Sequence, residues 1–419
     1  MVPTPLSIIY YKNPPQLLPT LHTEVIQLNP SLIFHIDVNS AYLSWTAVEQ
    51  LKNGSALDLR EIPSIIGGDM ASRHGVVLAK SIPAKAYHIS TGEPVAHALQ
   101  KCPHLLLVPP DHKLYSAYSK RLMELLITFC PKIEQVSIDE CYMDFTGYEK
   151  PYGSPVAAAS AIKDKVKNTF GFTVNIGIST NKLLAKMASD FQKPDRVHTL
   201  FPEEVPEKMW PLPVRELFMV GKSSAATLEK MEIRTIGDLA RTNVKILESH
   251  MKSHGRLIWE FANGIDNSPV HTEESELKCV GNSTTLAKDA ETAPAAKETL
   301  RALCRQVSSR LKRYHQLAGM VSTEIRYATF VRVSHQMQLP AATDKEDVLY
   351  HHACLLFDEL WNGEPIRLLG VRTSKLTDEP EPVQMTLFDL PKTQKELRAE
   401  KAMKALQERF GKDVIKKGV

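Results

Sequence analysis

Two apolar runs that end in acids constrain this chain more than any other feature. Leu32-Ile33-Phe34-His35-Ile36 runs into Asp37, and far downstream Val136-Ser137-Ile138-Asp139-Glu140-Cys141-Tyr142-Met143-Asp144-Phe145 reads as an apolar hairpin with two adjacent acids at its centre. A carboxylate where a buried strand runs out is costly unless it is paired or binds a cation. Taken singly, each acid is a solvated strand end; taken together, Asp37, Asp139 and Glu140 have the makings of a divalent-metal site. Oxygen ligands with no Cys or His cluster beside them favour Mg²⁺, which keeps waters and substrate phosphates in its shell. That chemistry points to phosphoryl transfer.

With 419 residues, the chain is too long for one ordinary core, and its length suggests about three units, with four small ones as the alternative. Net charge is only +3, so a nucleic-acid surface has to come from local clustering rather than from the whole-chain balance. The six cysteines are scattered without a CxxC pair, which indicates neither a zinc site nor a disulfide framework and fits a reducing cytosol. No apolar run is long enough to span a bilayer, and the Pro-rich start lacks the layout of a signal peptide. Residues 1–31 read as an extension without an assigned role.

After the first strand, Ala41 to Leu51 reads as a short helix closed by Asn53-Gly54. Residues 55–110, broken by Gly67-Gly68, Gly75, Pro83 and Pro109-Pro110, suggest a small mixed module. Leu114, Tyr118, Leu122, Leu125, Leu126 and Phe129 form a helical stripe over 113–129. The hairpin at 133–145 follows, then a helix over Pro155–Phe170, a strand over 173–178 and a helix over 181–189. This order is that of an α+β, ferredoxin-like unit, with antiparallel central strands and helices on one face.

From about 201 the pattern changes to short helices. Met219-Val220-Gly221-Lys222-Ser223 resembles the turn of a helix-hairpin-helix, in which turn amides at Gly221 and the neighbouring Lys222 can hold a DNA phosphate, although Met219 stands where the first hairpin glycine is usual. A compact helical bundle with a Gly turn reads equally well from this fragment. Beyond a polar stretch, Lys297, Arg301, Arg305, Arg310, Lys312 and Arg313 crowd one helix with only Glu298 in opposition. Thr323 to Leu339 then alternates strictly, with Arg326 and Arg332 on one face, as expected of a strand that contacts a nucleic-acid backbone.

In this order the pieces resemble a Y-family (translesion, impB/mucB/samB-type) DNA polymerase of the bacterial polymerase IV or polymerase V-like kind, over roughly residues 32–411. Asp37-Val38-Asn39-Ser40-Ala41-Tyr42 is similar to the first family motif, Ser137-Ile138-Asp139-Glu140 to the second, and Gly177 through Lys186 to the third. The resemblance implies a right-hand architecture with a ferredoxin-like palm (32–41 and 111–200), small fingers (42–110) and a helix-hairpin-helix thumb (201–268). A linker (269–280), an α/β little finger (281–376) and a tail (377–419) complete it. It implies two Mg²⁺ ions held by Asp37, Asp139, Glu140 and the carbonyl of Val38, and a steric gate against ribonucleotides at Tyr42.

For the triphosphate, Lys193 of Phe191-Gln192-Lys193-Pro194 matches the family's phosphate-binding lysine and Lys85 a basic finger residue. Polymerase IV usually has a Tyr three residues before the latter. Here Ile82 stands there, which leans toward the polymerase V-like branch and leaves Lys80 as a substitute donor. In the tail, Gln384-Met385-Thr386-Leu387-Phe388-Asp389-Leu390 resembles the bacterial sliding-clamp peptide, with Gln384, Leu387 and Phe388 as anchors. The function implied is low-fidelity, template-directed synthesis past damaged bases by a cytoplasmic monomer acting on primer-template DNA and dNTPs, with no membrane partner. Two rivals differ in class. A catalytically silent DNA-binding relative would lack the acids, and a palm-type nucleotidyl cyclase would need an acid then Phe after Gly67-Gly68-Asp69, where Met70 stands.

Overall fold

The structure is a computed structural model, and it describes residues 31–69, 75–273 and 276–378, together with residue 402. The clamp-like peptide at 384–390 and most of the N-terminal extension lie outside the described residues. In chain order the regular elements begin β1 Ile33–Val38, α1 Ala41–Lys52, β2 Ser64–Gly67, β3 Val77–Lys80, α2 Ile82–Lys85, α3 Val95–Lys101, β4 Leu106–Val108 and α4 His112–Ile127. There follow β5 Ile133–Gln135, β6 Glu140–Asp144, α5 Pro155–Phe170, β7 Val174–Ser179, α6 Lys182–Asp190 and β8 Val197–Thr199. Four short helices come next, α7 Lys222–Lys230, α8 Ile236–Arg241, α9 Val244–Met251 and α10 Ser253–Ala262. The last elements are β9 Cys279–Ala290, α11 Ala293–Arg313, β10 Leu317–Tyr327, β11 Arg332–Thr343, α12 Glu346–Leu360 and β12 Ile366–Thr377.

Two compact units result, Met1–Asn39 with Ser119–Thr272 and Ser40–Tyr118 with Glu273–Val419. In the first, a five-stranded sheet runs β5-β6-β1-β7-β8, with β1 antiparallel to both β6 and β7. The side-chain period of two splits β1 cleanly. Phe34 and Ile36 point to an apolar face with Met143, Ile176 and Ile178, all buried, and Phe34 stacks on Phe145 with ring centroids 4.6 Å apart. His35 and Asp37 point the other way, beside Glu140 and Tyr142 of β6 and Gly177 of β7.

Helix α6 lies directly on this second, polar face. The cause is Gly177: a Cβ there would meet the Ala185 carbonyl at 1.9 Å and the Ser189 amide nitrogen at 2.5 Å. Helices were expected on one face of the sheet; α6 takes the face that carries the acids, because only there does the sheet lack a side chain to hold it off. Asn181 caps the helix, its side chain accepting from the Leu184 N–H at 2.8 Å. The outer side of α6 is apolar, and Leu183, Leu184 and Met187 share one core with Val205, Met209, Leu217, Leu228, Leu239 and Ile258 from the helical segment that follows. In that segment α10 approaches α9 closely at Gly255, where a Cβ would meet the Leu247 carbonyl at 2.5 Å.

The second unit contains two separate sheets. The smaller, β3-β2-β4, is covered by α2 and α3, with Ile65, Val77, Val95 and Ala98 in its core. Helix α1 carries Tyr42, Trp45 and Thr46, and its ring stack with Tyr115 and Tyr118 of α4 ties the start of the unit together. The larger sheet runs β11-β10-β12-β9, and α11 and α12 cover it with Leu300, Leu303, Val307, Leu349 and Phe357. The alternation over 323–339 belongs to two strands, not one: the chain turns at Ala328–Val331, with the Tyr327 N–H donating to the Val331 carbonyl at 2.9 Å. The reversal keeps the parity, so Arg326 and Arg332 face each other across the hairpin.

Candidate active site

The β1–β6 register sets Asp37 directly opposite Glu140, and the Val38 N–H donates to the Asp139 carbonyl at 3.1 Å. All three expected acids therefore gather at one end of the two strands. Asp139 is held by its neighbour Ser137, whose hydroxyl donates to the carboxylate at 2.6 Å. Burial pushes the Asp139 carboxyl above its usual range, against the pull of the Ser137 hydrogen bond. Glu140 goes the opposite way, down to about 2, first through His35 and then through Lys186. Folding stability tied to Glu140 is thus present above the ordinary carboxylate pKa and is lost as pH falls toward 2.

Three side chains that the sequence reading passed over, His35, Lys186 and Asp190, join the expected Lys193 to complete the site. The His35 ring, fully buried, sits 2.8 Å from the Ser189 hydroxyl through Nδ1 and 3.4 Å from Glu140 Oε2 through Nε2. Burial lowers its pKa, so the imidazole is neutral, and the tautomer that serves Glu140 carries the proton on Nε2. At 3.4 Å that contact is too long to satisfy Nε2 well. Lys186, on α6, stands 3.4 Å from Asp37, 3.3 Å from Glu140 and 3.4 Å from Asp190. Lys193 lies 3.0 Å from Asp37 and 2.9 Å from Asp190. Burial works to lower the pKa of both lysines, but Asp37 and Asp190 outweigh it and hold them above the ordinary value, so both are ammonium ions.

A buried amide network places Lys193. Asn175 donates to the carbonyls of Ser189 at 3.0 Å and Gln192 at 2.8 Å, and accepts from Asn39 at 3.1 Å. Asn39 in turn accepts from the Asp195 N–H at 3.0 Å. The loop after α6 is thereby tied to the strand end that carries Asp37.

Charge decides what this arrangement can hold. Among the described residues no group of three or more His, Cys, Asp or Glu stands at metal-ligand spacing, and two ammonium groups sit among the acids. The donor set still suits hard divalent cations: carboxylate oxygens, a half-satisfied imidazole behind Glu140, and no thiolate in the cluster.

The remaining expected residues fall elsewhere. Tyr42 stacks on Tyr115 with centroids 4.2 Å apart and an interplanar angle of 9°. Lys85 is exposed at the end of α2. The Lys80 ammonium donates one of its three N–H groups to the Ile89 carbonyl at 2.5 Å, which leaves two for another acceptor. Burial lowers its pKa and the Lys85 charge lowers it further. At the helix-hairpin-helix turn Met219 itself takes the left-handed conformation, φ 71°, that glycine usually supplies. Gly221, at φ −79°, is the N-cap of α7 and Lys222 its first residue.

On the larger sheet, Ser322, Glu324, Arg332, Ser334, Gln336 and Arg372 line an open depression of about 750 Å³. Arg332 pairs there with Glu324. The basic helix face is largely answered at home: on α12, Asp358 meets Lys297 at 2.7 Å, Asp347 meets Arg301 at 3.5 Å and Glu346 meets Arg305 at 3.4 Å. The solvent-facing sheet, not α11, is therefore the better candidate for a polyanion. If so, replacing Arg326 and Arg332 with Ala should weaken primer-template binding regardless of sequence and lower the salt slope by about 2. An unchanged slope in a binding titration from low to high salt would exclude this face.

Comparison with known proteins agrees with this layout. The impB/mucB/samB family matches residues 36–190, its helix-hairpin-helix motif residues 202–233 and its C-terminal domain residues 277–387. A protein of Clostridium acetobutylicum named DNA polymerase IV is 47% identical over 388 residues, covering 93% of this chain and 98% of the relative. DNA polymerase IV 1 of Halalkalibacterium halodurans is 34% identical and DNA polymerase IV of Acetivibrio thermocellus 33% identical, each over at least 92% of both chains. These relatives carry the polymerase IV name, and the lean toward the polymerase V-like branch rests on Ile82 alone. Among solved structures, a Y-family DNA polymerase chimera aligns with a TM-score of 0.72 over 83% of this chain and 100% of its own, at 22% identity, which speaks for the fold. With the acids at the end of β1 and β6, α6 laid over them and three family matches in chain order, the chain belongs to the impB/mucB/samB family of Y-family DNA polymerases.

Proposed function

We propose that the chain is a translesion DNA polymerase, adding deoxynucleotides to a primer 3′ end under direction of a template. The observation that carries this reading is the opposition of Asp37 and Glu140 across β1 and β6, next to Asp139, in a chain of this family. Asp37, Asp139, Glu140 and the Val38 carbonyl would hold two Mg²⁺ ions. Bound there, such ions activate a hydroxyl and neutralise phosphate charge. The chain's own residues do the rest. Lys193, tied beside Asp37 by the Asn175 network, would meet the triphosphate, and Lys85 would be a second cation for it. Gly221 and Lys222 of the thumb and Arg326 and Arg332 of the little finger would hold DNA phosphates.

Tyr42 would select the sugar. Its ring is braced flat against Tyr115, so it cannot turn aside from a 2′-hydroxyl. Tyr42→Ala should raise the ribonucleotide-to-deoxynucleotide incorporation ratio by about a hundredfold, the 2–3 kcal/mol scale of a steric exclusion. Single-nucleotide insertion with matched ribo- and deoxynucleotides measures it, and an unchanged ratio would place the gate elsewhere.

The tail would bind a sliding clamp through Gln384, Leu387 and Phe388. Two buried apolar anchors contribute about 1.5–3 kcal/mol each, so changing Leu387 and Phe388 to Ala should abolish clamp stimulation on a long template and leave short-primer activity intact. Equal stimulation of both proteins would remove the tail from the account. The domain limits are those stated from the sequence. The six cysteines are free, in keeping with a reducing compartment such as the cytoplasm, and no described helix is long and apolar enough to cross a membrane; the chain would act there as a monomer.

A further inference from the structure

Asp190 has no part in that reading, yet it holds both lysines of the site. It ends α6, about half exposed, with Oδ2 3.4 Å from Lys186 Nζ and Oδ1 2.9 Å from Lys193 Nζ. The same ammonium groups reach Asp37 at 3.4 and 3.0 Å, and Lys186 also reaches Glu140 at 3.3 Å. A divalent cation and an ammonium group compete for the same carboxylate lone pairs and repel each other at such range. Lys193 can retreat toward water. Lys186 cannot: its side chain is only 12% exposed, packed between α6 and the sheet, and a buried charge that loses its partner is strongly destabilising. It needs another carboxylate within reach, and the helical spacing of four residues supplies Asp190.

Resting on the assignment of Asp37 and Glu140 as metal ligands, we propose that Asp190 is a positioning residue that takes up Lys186 and Lys193 and so opens those two carboxylates to divalent ions. Asp190 thus sets metal affinity without ligating metal. A simple surface ion pair at a helix end would have no such effect.

The test is Mn²⁺ binding to the full chain without DNA or nucleotide, followed by the magnetic-resonance signal of free Mn²⁺. Asp190→Asn should weaken binding about tenfold, the scale on which partners of metal ligands act. Asp190→Glu should restore it. Lys186→Met should bind more tightly than wild type, and the double variant Asp190→Asn with Lys186→Met should bind no more weakly than wild type, since Asp190 then has only Lys193 to draw away and that lysine can retreat toward water. Should the methionine variant fold poorly, Lys186→Gln serves the same comparison. Wild-type affinity in Asp190→Asn, or a double variant as weak as Asp190→Asn alone, overturns the proposal. Asp37→Asn run alongside separates the two layers: unchanged Mn²⁺ binding there would show that the ligand assignment itself is wrong.

Discussion

Asp37→Ala, Asp139→Ala and Glu140→Gln should each lower primer extension by at least about a thousandfold, the upper range for losing one preorganised electrostatic partner. Asp37 and Glu140 pair across β1 and β6 and Asp139 lies just before β6, so losing any of these side chains removes charge without removing a ladder bond. Folding should survive. In Asp37→Ala, Lys193 keeps Asp190 and Lys186 keeps both Glu140 and Asp190, so neither ammonium is left buried and alone. Circular dichroism and gel-based extension together decide it, and near wild-type extension by any one folded variant would refute the site.

Gly177→Ala should be as severe for the fold as those changes are for activity. The new methyl group would lie 1.9 Å from a backbone carbonyl and 2.5 Å from a backbone nitrogen of α6, and no rotamer can relieve a clash with backbone. The helix would have to lift from the sheet, taking Lys186 and Ser189 away from Asp37, Glu140 and His35. We expect a loss of about 3 kcal/mol or more, the upper range for overpacking, and a midpoint fall of roughly 6 °C or more. Gly221→Ala is the matching control, because a Cβ there meets open space at an ordinary φ. Its midpoint should move by less than about 1 °C. Similar midpoints for the two variants would show that the close approach of α6 is not needed.

The acids were legible in the sequence because an apolar strand that stops at a carboxylate breaks its own pattern, and Asp37 and Asp139-Glu140 break it sharply. His35 was equally open to notice, two residues before Asp37 and so on the same face, but inside an apolar run it passed as part of the strand. Lys186 and Asp190 carry a local signal, cation and acid four residues apart on a helix, which normally marks a solvated face. Only the bareness of Gly177, on a different strand, turns that helix inward. The long alternating stretch misled for the opposite reason. Tyr327 and Val331 pair across three intervening residues, an odd number that preserves side-chain parity, so this hairpin cannot be told from one strand by alternation alone. The pairing of the α11 cations was not legible because the acids that answer them lie on α12, far along the chain.

The central claim, that this site adds nucleotides as a template dictates, is tested most directly by single-nucleotide insertion in Mg²⁺. Four primer-templates differing only at the first unpaired template base are each offered one dNTP at a time, with and without a lesion at that base. The account predicts that the complementary nucleotide is added best on every undamaged template and that insertion continues opposite damage. No insertion on any template, or insertion that ignores the template base, would contradict it.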